Sequence, residues 1–194
     1  TNGGVYNLYA RYVTIKTRTW YWYAGPNSNF DTISEGTSGL LDQTAGTPSA
    51  LKYLRNFSME FVPDGNKSLG KTSTINYRGQ YSKIGWQDFI SNGSNYGSSV
   101  TGDYYLQTII ANISGYVSQY YDLYYTTHVR TIELMGYAAA NESSGNRGWA
   151  KPLEGIRVKL VRKNSGRPDS ESIININEIE THSDNLEFQG NTSS

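Results

Sequence analysis

The chain has 194 residues, 17 Lys and Arg against 17 Asp and Glu, two His and no Cys, giving a formal net charge of zero. That length suits one domain with a sizeable core, or one domain with an appended arm. Disulfide scaffolds, thiolate metal sites and Cys nucleophiles are excluded, a balanced charge gives no basis for capturing nucleic acid, and no run of about 18 apolar residues offers a membrane-spanning helix.

Gly, Ser, Thr and Asn supply 76 residues and Tyr adds 17, while only 18% of the chain is charged, against roughly 25% in an ordinary soluble domain. The chain opens on polar Thr1-Asn2-Gly3-Gly4, which fits either a removed signal peptide or a removed initiator Met. Residues 6–23 are filled with Tyr, Val, Ile, Thr and Trp, side chains that fit a pleated surface better than a helical one. Further runs of this kind follow, broken every 8 to 15 residues by turn formers at Gly25-Pro26-Asn27, Pro63-Asp64-Gly65, Asn92-Gly93 and Asn164-Ser165-Gly166. Those residues adopt the backbone geometries that reverse a strand. Only Ala138-Ala139-Ala140-Asn141-Glu142 hints at a helical turn. The expectation is an all-β chain, with residues 164–194 as a polar C-terminal tail or arm that orders on a partner.

One pattern occurs three times: Leu, an apolar residue three positions on, then two more at alternate positions. It reads Leu54, Phe57, Met59, Phe61; then Leu106, Ile109, Ala111, Ile113; then Leu153, Ile156, Val158, Leu160. Alternation is what a strand with one buried face requires, and the odd first step predicts a bend or bulge where the chain enters it. Upstream lie a second apolar strand and an aromatic. These read Tyr9 to Val13, Ile15 and Trp20; Tyr77 to Tyr81, Ile84 and Trp86; and Tyr125 to Val129, Ile132 and Tyr137. A Gly-rich loop precedes each Leu, with Gly36, Gly39 and Gly46, then Gly93, Gly97 and Gly102, then Gly145 and Gly148; the first copy carries an insertion around residues 26–42. The repeats, at about 1–64, 65–115 and 116–163, form one domain over 1–163. Units that cannot bury a face alone are expected to close around a pseudo-threefold axis, β-prism-like or, alternatively, as a β-trefoil.

At these residues the chain resembles the clostridial hydrophobic repeat with a central Trp, the ChW repeat. Lys83-Ile84-Gly85-Trp86-Gln87 matches the middle of that motif, and Thr127-His128-Val129 and Leu153-Glu154-Gly155-Ile156 match its beginning and end. Tyr137 stands where the third copy's Trp belongs, and the first copy keeps neither Gly-Trp-Gln nor Leu-Glu. The likeness covers roughly residues 77–161. It implies a non-catalytic module of secreted or cell-surface proteins, associated with adhesion or polysaccharide binding.

The chemistry of the residues leads to a compatible reading. A hydrolytic triad needs a base, and His128 reads as a structural histidine on a strand, with His182 in the tail. Asp88 and Asp103 are a carboxylate pair only in sequence. No catalytic residue, metal ligand or cofactor is expected. Adjacent rings at Trp20 to Tyr23, Tyr104-Tyr105, Tyr120-Tyr121 and Tyr124-Tyr125 put aromatics on both faces of a strand, so the outer ring of each pair is expected at a surface or interface. An exposed ring beside amides suits the C–H face and hydroxyls of a sugar, and equally a protein interface. The candidate ligand-binding residues are Trp20, Trp22, Trp86, Gln87, Tyr137 and Asn141. The expected function is a secreted or surface-displayed binding module for a glycan or cell-wall polysaccharide. The alternative is a structural subunit of a fibre, sheath or virus particle, packed against copies of itself through its aromatic faces, with the tail reaching a neighbour. A pore-forming toxin is a distant third reading.

Overall fold

A computed structural model describes residues 13–23, 33–39, 44–46, 52–63, 73–97, 99–100, 104–146 and 148–168. The fold is all-β, in several antiparallel sheets. Its strands are β1 (Val13–Tyr23), β2 (Ile33–Gly39), β3 (Thr44–Gly46), β4 (Lys52–Pro63), β5 (Ser73–Tyr81), β6 (Gly85–Trp86), β7 (Ile90–Ser91), β8 (Leu106–Gly115), β9 (Tyr121–Val129), β10 (Glu133–Leu134), β11 (Ala138–Ala139), β12 (Ser144–Gly145) and β13 (Leu153–Arg162). The helical turn expected at residues 138–142 is instead β11, paired with Tyr124 and Tyr125, followed by a turn. One 3-10 turn, Val117–Gln119, joins β8 to β9.

The long strands pair as β1–β4, β5–β8 and β9–β13. The second member of each pair is a Leu-step segment, and β4, β8 and β13 each approach the other two. Leu54, Phe57 and Met59, Leu106, Ile109 and Ala111, and Leu153, Ile156 and Val158 are all buried, while Phe61, Ile113 and Leu160 pack partly buried against the same core. β5 alternates buried and half-buried along its whole length, as one core-facing side requires.

The odd first step has a direct cause. Asn56 faces Trp20 and Leu54 faces Tyr21, so Arg55 has no residue opposite. Thr108 faces Gln80 and Leu106 faces Tyr81, which leaves Gln107 unopposed. Gly155 faces His128 and Leu153 faces Val129, which leaves Glu154. Each is a bulge, one extra residue that turns a two-residue step into three. All three bulge residues are polar and buried, where an unpaired polar group is costly. The Arg55 guanidinium donates to the carbonyls of Tyr104 (3.2 Å) and Val100, and its own carbonyl accepts from the Tyr81 hydroxyl (2.7 Å). The Gln107 carbonyl accepts the Asn146 backbone N–H at 2.8 Å. Glu154 Oε2 lies 3.1 Å from His128 Nδ1.

The other edge of each Leu-step strand is covered by a loop from a different part of the chain. Tyr96 exchanges backbone hydrogen bonds with Phe57, at 2.8 and 3.2 Å. Ser144 pairs with Ile109, and Ala45 pairs with Ile156. Phe57, Ile109 and Ile156 are each the third residue after the leading Leu, and each loop partner is followed by glycine: Gly97, Gly145 and Gly46. One rung further, the N–H groups of Gly93 and Asn141 donate to the carbonyls of Met59 and Ala111, at 2.8 and 2.9 Å. Lys83 and Thr131 take matching left-handed turns, with φ of 67° and 66°.

Register corrects two sequence alignments. Tyr21, not Val13, stands opposite Leu54 as Tyr81 stands opposite Leu106; Tyr9 and Tyr12 lie outside the described residues. Trp86 faces Gln80 as Leu134 faces His128, and Ile90 faces Tyr77 as Ala138 faces Tyr125. Leu134 therefore stands in the place of Trp86, and Tyr137 in the place of Phe89. Matching by ring chemistry had paired positions that pairing geometry separates. The tail is described only to residue 168; the expectation of a loose tail or of an arm ordered on a partner falls on residues 169–194, outside the described residues.

A Cβ at Gly97 (φ 92°) would lie 1.9 Å from the Tyr81 hydroxyl, and one at Gly145 (φ 133°) would lie 2.3 Å from the Gln107 carbonyl oxygen. Gly97→Ala and Gly145→Ala are each expected to cost about 2 kcal/mol or more, combining backbone strain with a clash. Gly166→Ala, with φ 86° and open space around it, costs only the backbone share, about 1 kcal/mol. Urea-unfolding midpoints for the three variants test this order. Phe57→Ala removes a fully buried ring packed 5.2 Å from both Tyr77 and Tyr96, and the same titration should show a loss of about 3–5 kcal/mol.

Candidate functional site

The six candidate residues do not gather in one place. Trp20 and Trp22 lie on β1 opposite Asn56 and Tyr53, with side chains outside the described part of the structure. Tyr137 is buried, 3% exposed, with the Lys159 ammonium 5.7 Å from its ring. Asn141 is exposed, but its side-chain oxygen accepts from Asn112 Nδ2 at 2.9 Å and its φ of 71° makes a turn. Trp86 and Gln87 remain, adjacent on and just after β6.

The paired rings divide similarly. Tyr104, Tyr105, Tyr120 and Tyr121 are half-buried. Tyr124 and Tyr125 are both buried, at 8% and 0%, against the expectation of an outer ring. β9 lies between β13 on one edge and β10 and β11 on the other.

Gln87 belongs to a cleft of about 230 Å³ between residues 87–90 on one side and residues 95–97, 99 and 100 on the other. Its polar lining is Gln87, Asp88, Asn95 and Ser99, with Ile90 and Tyr96 as apolar wall. The Gln87 backbone N–H donates to the Gly79 carbonyl at 3.2 Å, and its Nε2 donates to the Trp86 carbonyl at 3.0 Å. The Tyr96 hydroxyl donates to the same Gly79 carbonyl at 2.8 Å. One β5 carbonyl thus fixes both walls. The Arg55 bonds to the Val100 and Tyr104 carbonyls hold the far side of the loop onto the bulge. A carboxylate, two amides and a hydroxyl lining one cleft beside apolar side chains offer donors and acceptors to the hydroxyls of a small polar ligand. The space suits one ring and lies below the roughly 300–1,000 Å³ of drug-sized pockets.

Beside the cleft stands an arrangement the sequence reading missed. The Arg78 guanidinium lies 4.8 Å from the centre of the Trp86 ring and 4.7 Å from that of Phe89. Phe89 is 43% exposed. The signal was present: Arg78 and Gln80 share the non-core face of β5, and the turn at residues 82–84 returns Trp86 to Gln80. Arg78 and Asp88 both act electrostatically on the Tyr96 hydroxyl, so the stack and the cleft are neighbours.

His128 is 15% and Glu154 5% exposed at the side chain, enclosed at the β13 bulge and remote in sequence from the cleft. Among the described residues, no group of three or more His, Asp or Glu is placed to hold a metal ion. Also among the described residues, no helix is long and apolar enough to cross a membrane. Compared with protein-family models, curated proteins and solved structures, the chain matches none.

Buried tyrosine hydroxyls give the domain an alkaline limit. Burial pushes Tyr77 up from 10.0 to about 12, and raises Tyr81, Tyr96 and Tyr125 as well. The folded state therefore keeps protons that the unfolded chain loses near pH 10, so stability is full below pH 10 and falls as pH rises toward 12. Tyrosinate absorbance and circular dichroism followed together should show the hydroxyls of Tyr77, Tyr81, Tyr96 and Tyr125 ionising only as the fold is lost. Uniform titration near pH 10 with the fold retained would contradict it.

Proposed function

We propose that this chain is a non-catalytic binding module that holds a glycan at the cleft of residues 87–100, on a domain closed around a pseudo-threefold axis. The cleft carries the reading: Gln87, Asp88, Asn95 and Ser99 supply donors and acceptors along its lining, beside the half-buried Trp86 and exposed Phe89 rings. Sugars combine hydroxyls with C–H faces that pack on rings, and this pairing of groups answers both.

The threefold closure is supported by the pairing pattern. β4 receives the loop before β8, β8 receives the loop before β13, and β13 receives β3, which precedes β4. Each transfer falls at the same step after the leading Leu, beside a bulge at the same place. Three separate sheets favour a prism-like arrangement over a trefoil barrel. The ChW resemblance agrees with this reading, and with it the placement of the protein as secreted or at a cell surface, where cell-wall polysaccharide is the partner.

A glycan array followed by titration calorimetry tests the function. Specific binding should weaken by about tenfold in Gln87→Ala and in Asn95→Ala, each losing a hydrogen bond or two, with melting temperature unchanged. The reading fails if no glycan binds, or if both variants bind as the parent does.

A further inference from the structure

The same site carries information about the class of sugar. The Arg78 guanidinium carbon lies 4.8 Å from the centre of the Trp86 ring and 4.7 Å from that of Phe89, cation–π contacts that use none of its N–H donors. Its Nε is buried without a hydrogen-bond partner. Among the described residues no carboxylate lies within ion-pair distance of it, although Arg18, Lys163 and Arg167 each have one.

The scaffold itself does not require this stack. At the register positions matching Arg78, Trp86, Gln87 and Phe89, the next strand pair has Thr126, Leu134, Met135 and Tyr137. There Met135 and Tyr137 are buried and Thr126 donates to the Met135 carbonyl at 2.5 Å. The same backbone thus buries Met135 and Tyr137 in one place, with the Lys159 ammonium 5.7 Å from the Tyr137 ring, and in the other sets an arginine against two rings, one of them exposed, beside a polar cleft. The difference lies in what faces outward.

Resting on the glycan-binding reading above, we infer that the ligand is an acidic sugar, whose carboxylate is received by the in-plane donors of Arg78 while its ring sits in the cleft. A planar carboxylate matches the guanidinium fork with two parallel hydrogen bonds. Asp88 on the cleft lining sets the orientation: it repels the carboxylate, which must lie at the Arg78 end, and accepts from hydroxyls. With zero net charge over the chain, attraction is local and does not come from a general basic field. The carboxylate can come from a uronate or from a sialic acid, which present the same group.

Calorimetric titration with trigalacturonate and its methyl ester, and with sialyllactose and lactose, decides the matter. The acid member of at least one pair should bind about tenfold or more tighter than its neutral counterpart, as expected for charge-assisted hydrogen bonds. The pair that shows it identifies the source. Arg78→Gln should bring acid and neutral forms to equal affinity. Arg78→Lys, which keeps the charge but loses the fork, should retain only a small part of the preference. Equal binding of acid and neutral sugars by the parent protein overturns the inference and leaves the glycan reading standing, and needs no variant to show it. A preference unchanged in a folded Arg78→Gln protein also overturns it. Absence of binding to acid and neutral sugars alike, both here and on the array, defeats both readings.

Discussion

The structure depends on the backbone hydrogen-bonding edges of three strands. β4, β8 and β13 each have one edge engaged by a long antiparallel partner. A buried edge left unpaired would cost as much as any other orphaned polar group, and an exposed one would recruit another chain. The open edge is therefore given to a loop from elsewhere in the sequence, at Tyr96, Ser144 and Ala45. The bulge beside each contact increases local twist and redirects the strand. Loop composition follows from this. Glycine is needed after the pairing residue because Gly97 and Gly145 press on the bulge carbonyls of Arg55 and Gln107.

Side-chain volumes adjust around that frame. Gly79 has no room for a Cβ, which would meet Leu106 at 2.4 Å and the Tyr96 ring at 3.1 Å. At the matching position on β9 stands Thr127, whose hydroxyl is 3.1 Å from that of Ser144. A large loop residue faces glycine in one place and a small one faces threonine in the other, so the space is filled in both. The polar cleft exists where the large ring was chosen, because the Tyr96 hydroxyl and the Gln87 N–H share the Gly79 carbonyl.

Much of the fold was legible in the sequence because a bulge leaves a mark there. Leu54 to Phe57, Leu106 to Ile109 and Leu153 to Ile156 are three-residue steps in otherwise alternating runs, and no regular strand makes one. The partner strands were harder to align. Between residues 6 and 23 rings and β-branched residues stand at nearly every position, so both registers bury something, and only the observed pairing places Tyr21 against Leu54. Ring identity misled at Tyr137, which is core where Phe89 is surface. The cleft was reached through Gln87 alone. Arg78 escaped notice because an outward charge on an alternating strand looks like ordinary solvation until the turn at residues 82–84 brings Trp86 back beside it.

The pairing of β3 with β13 joins residues 44–46 to residues 155–157, more than half the chain apart. Contacts this distant in sequence form late, since the intervening loop must close first. A ribosome that has released residues 44–46 holds them without their partner until β13 emerges. In that interval the strand-rich first segment has an unsatisfied edge, the feature that draws nascent chains together. The arrival of β13, the last long strand among the described residues, closes that edge, and a truncation before residue 153 would leave it open permanently.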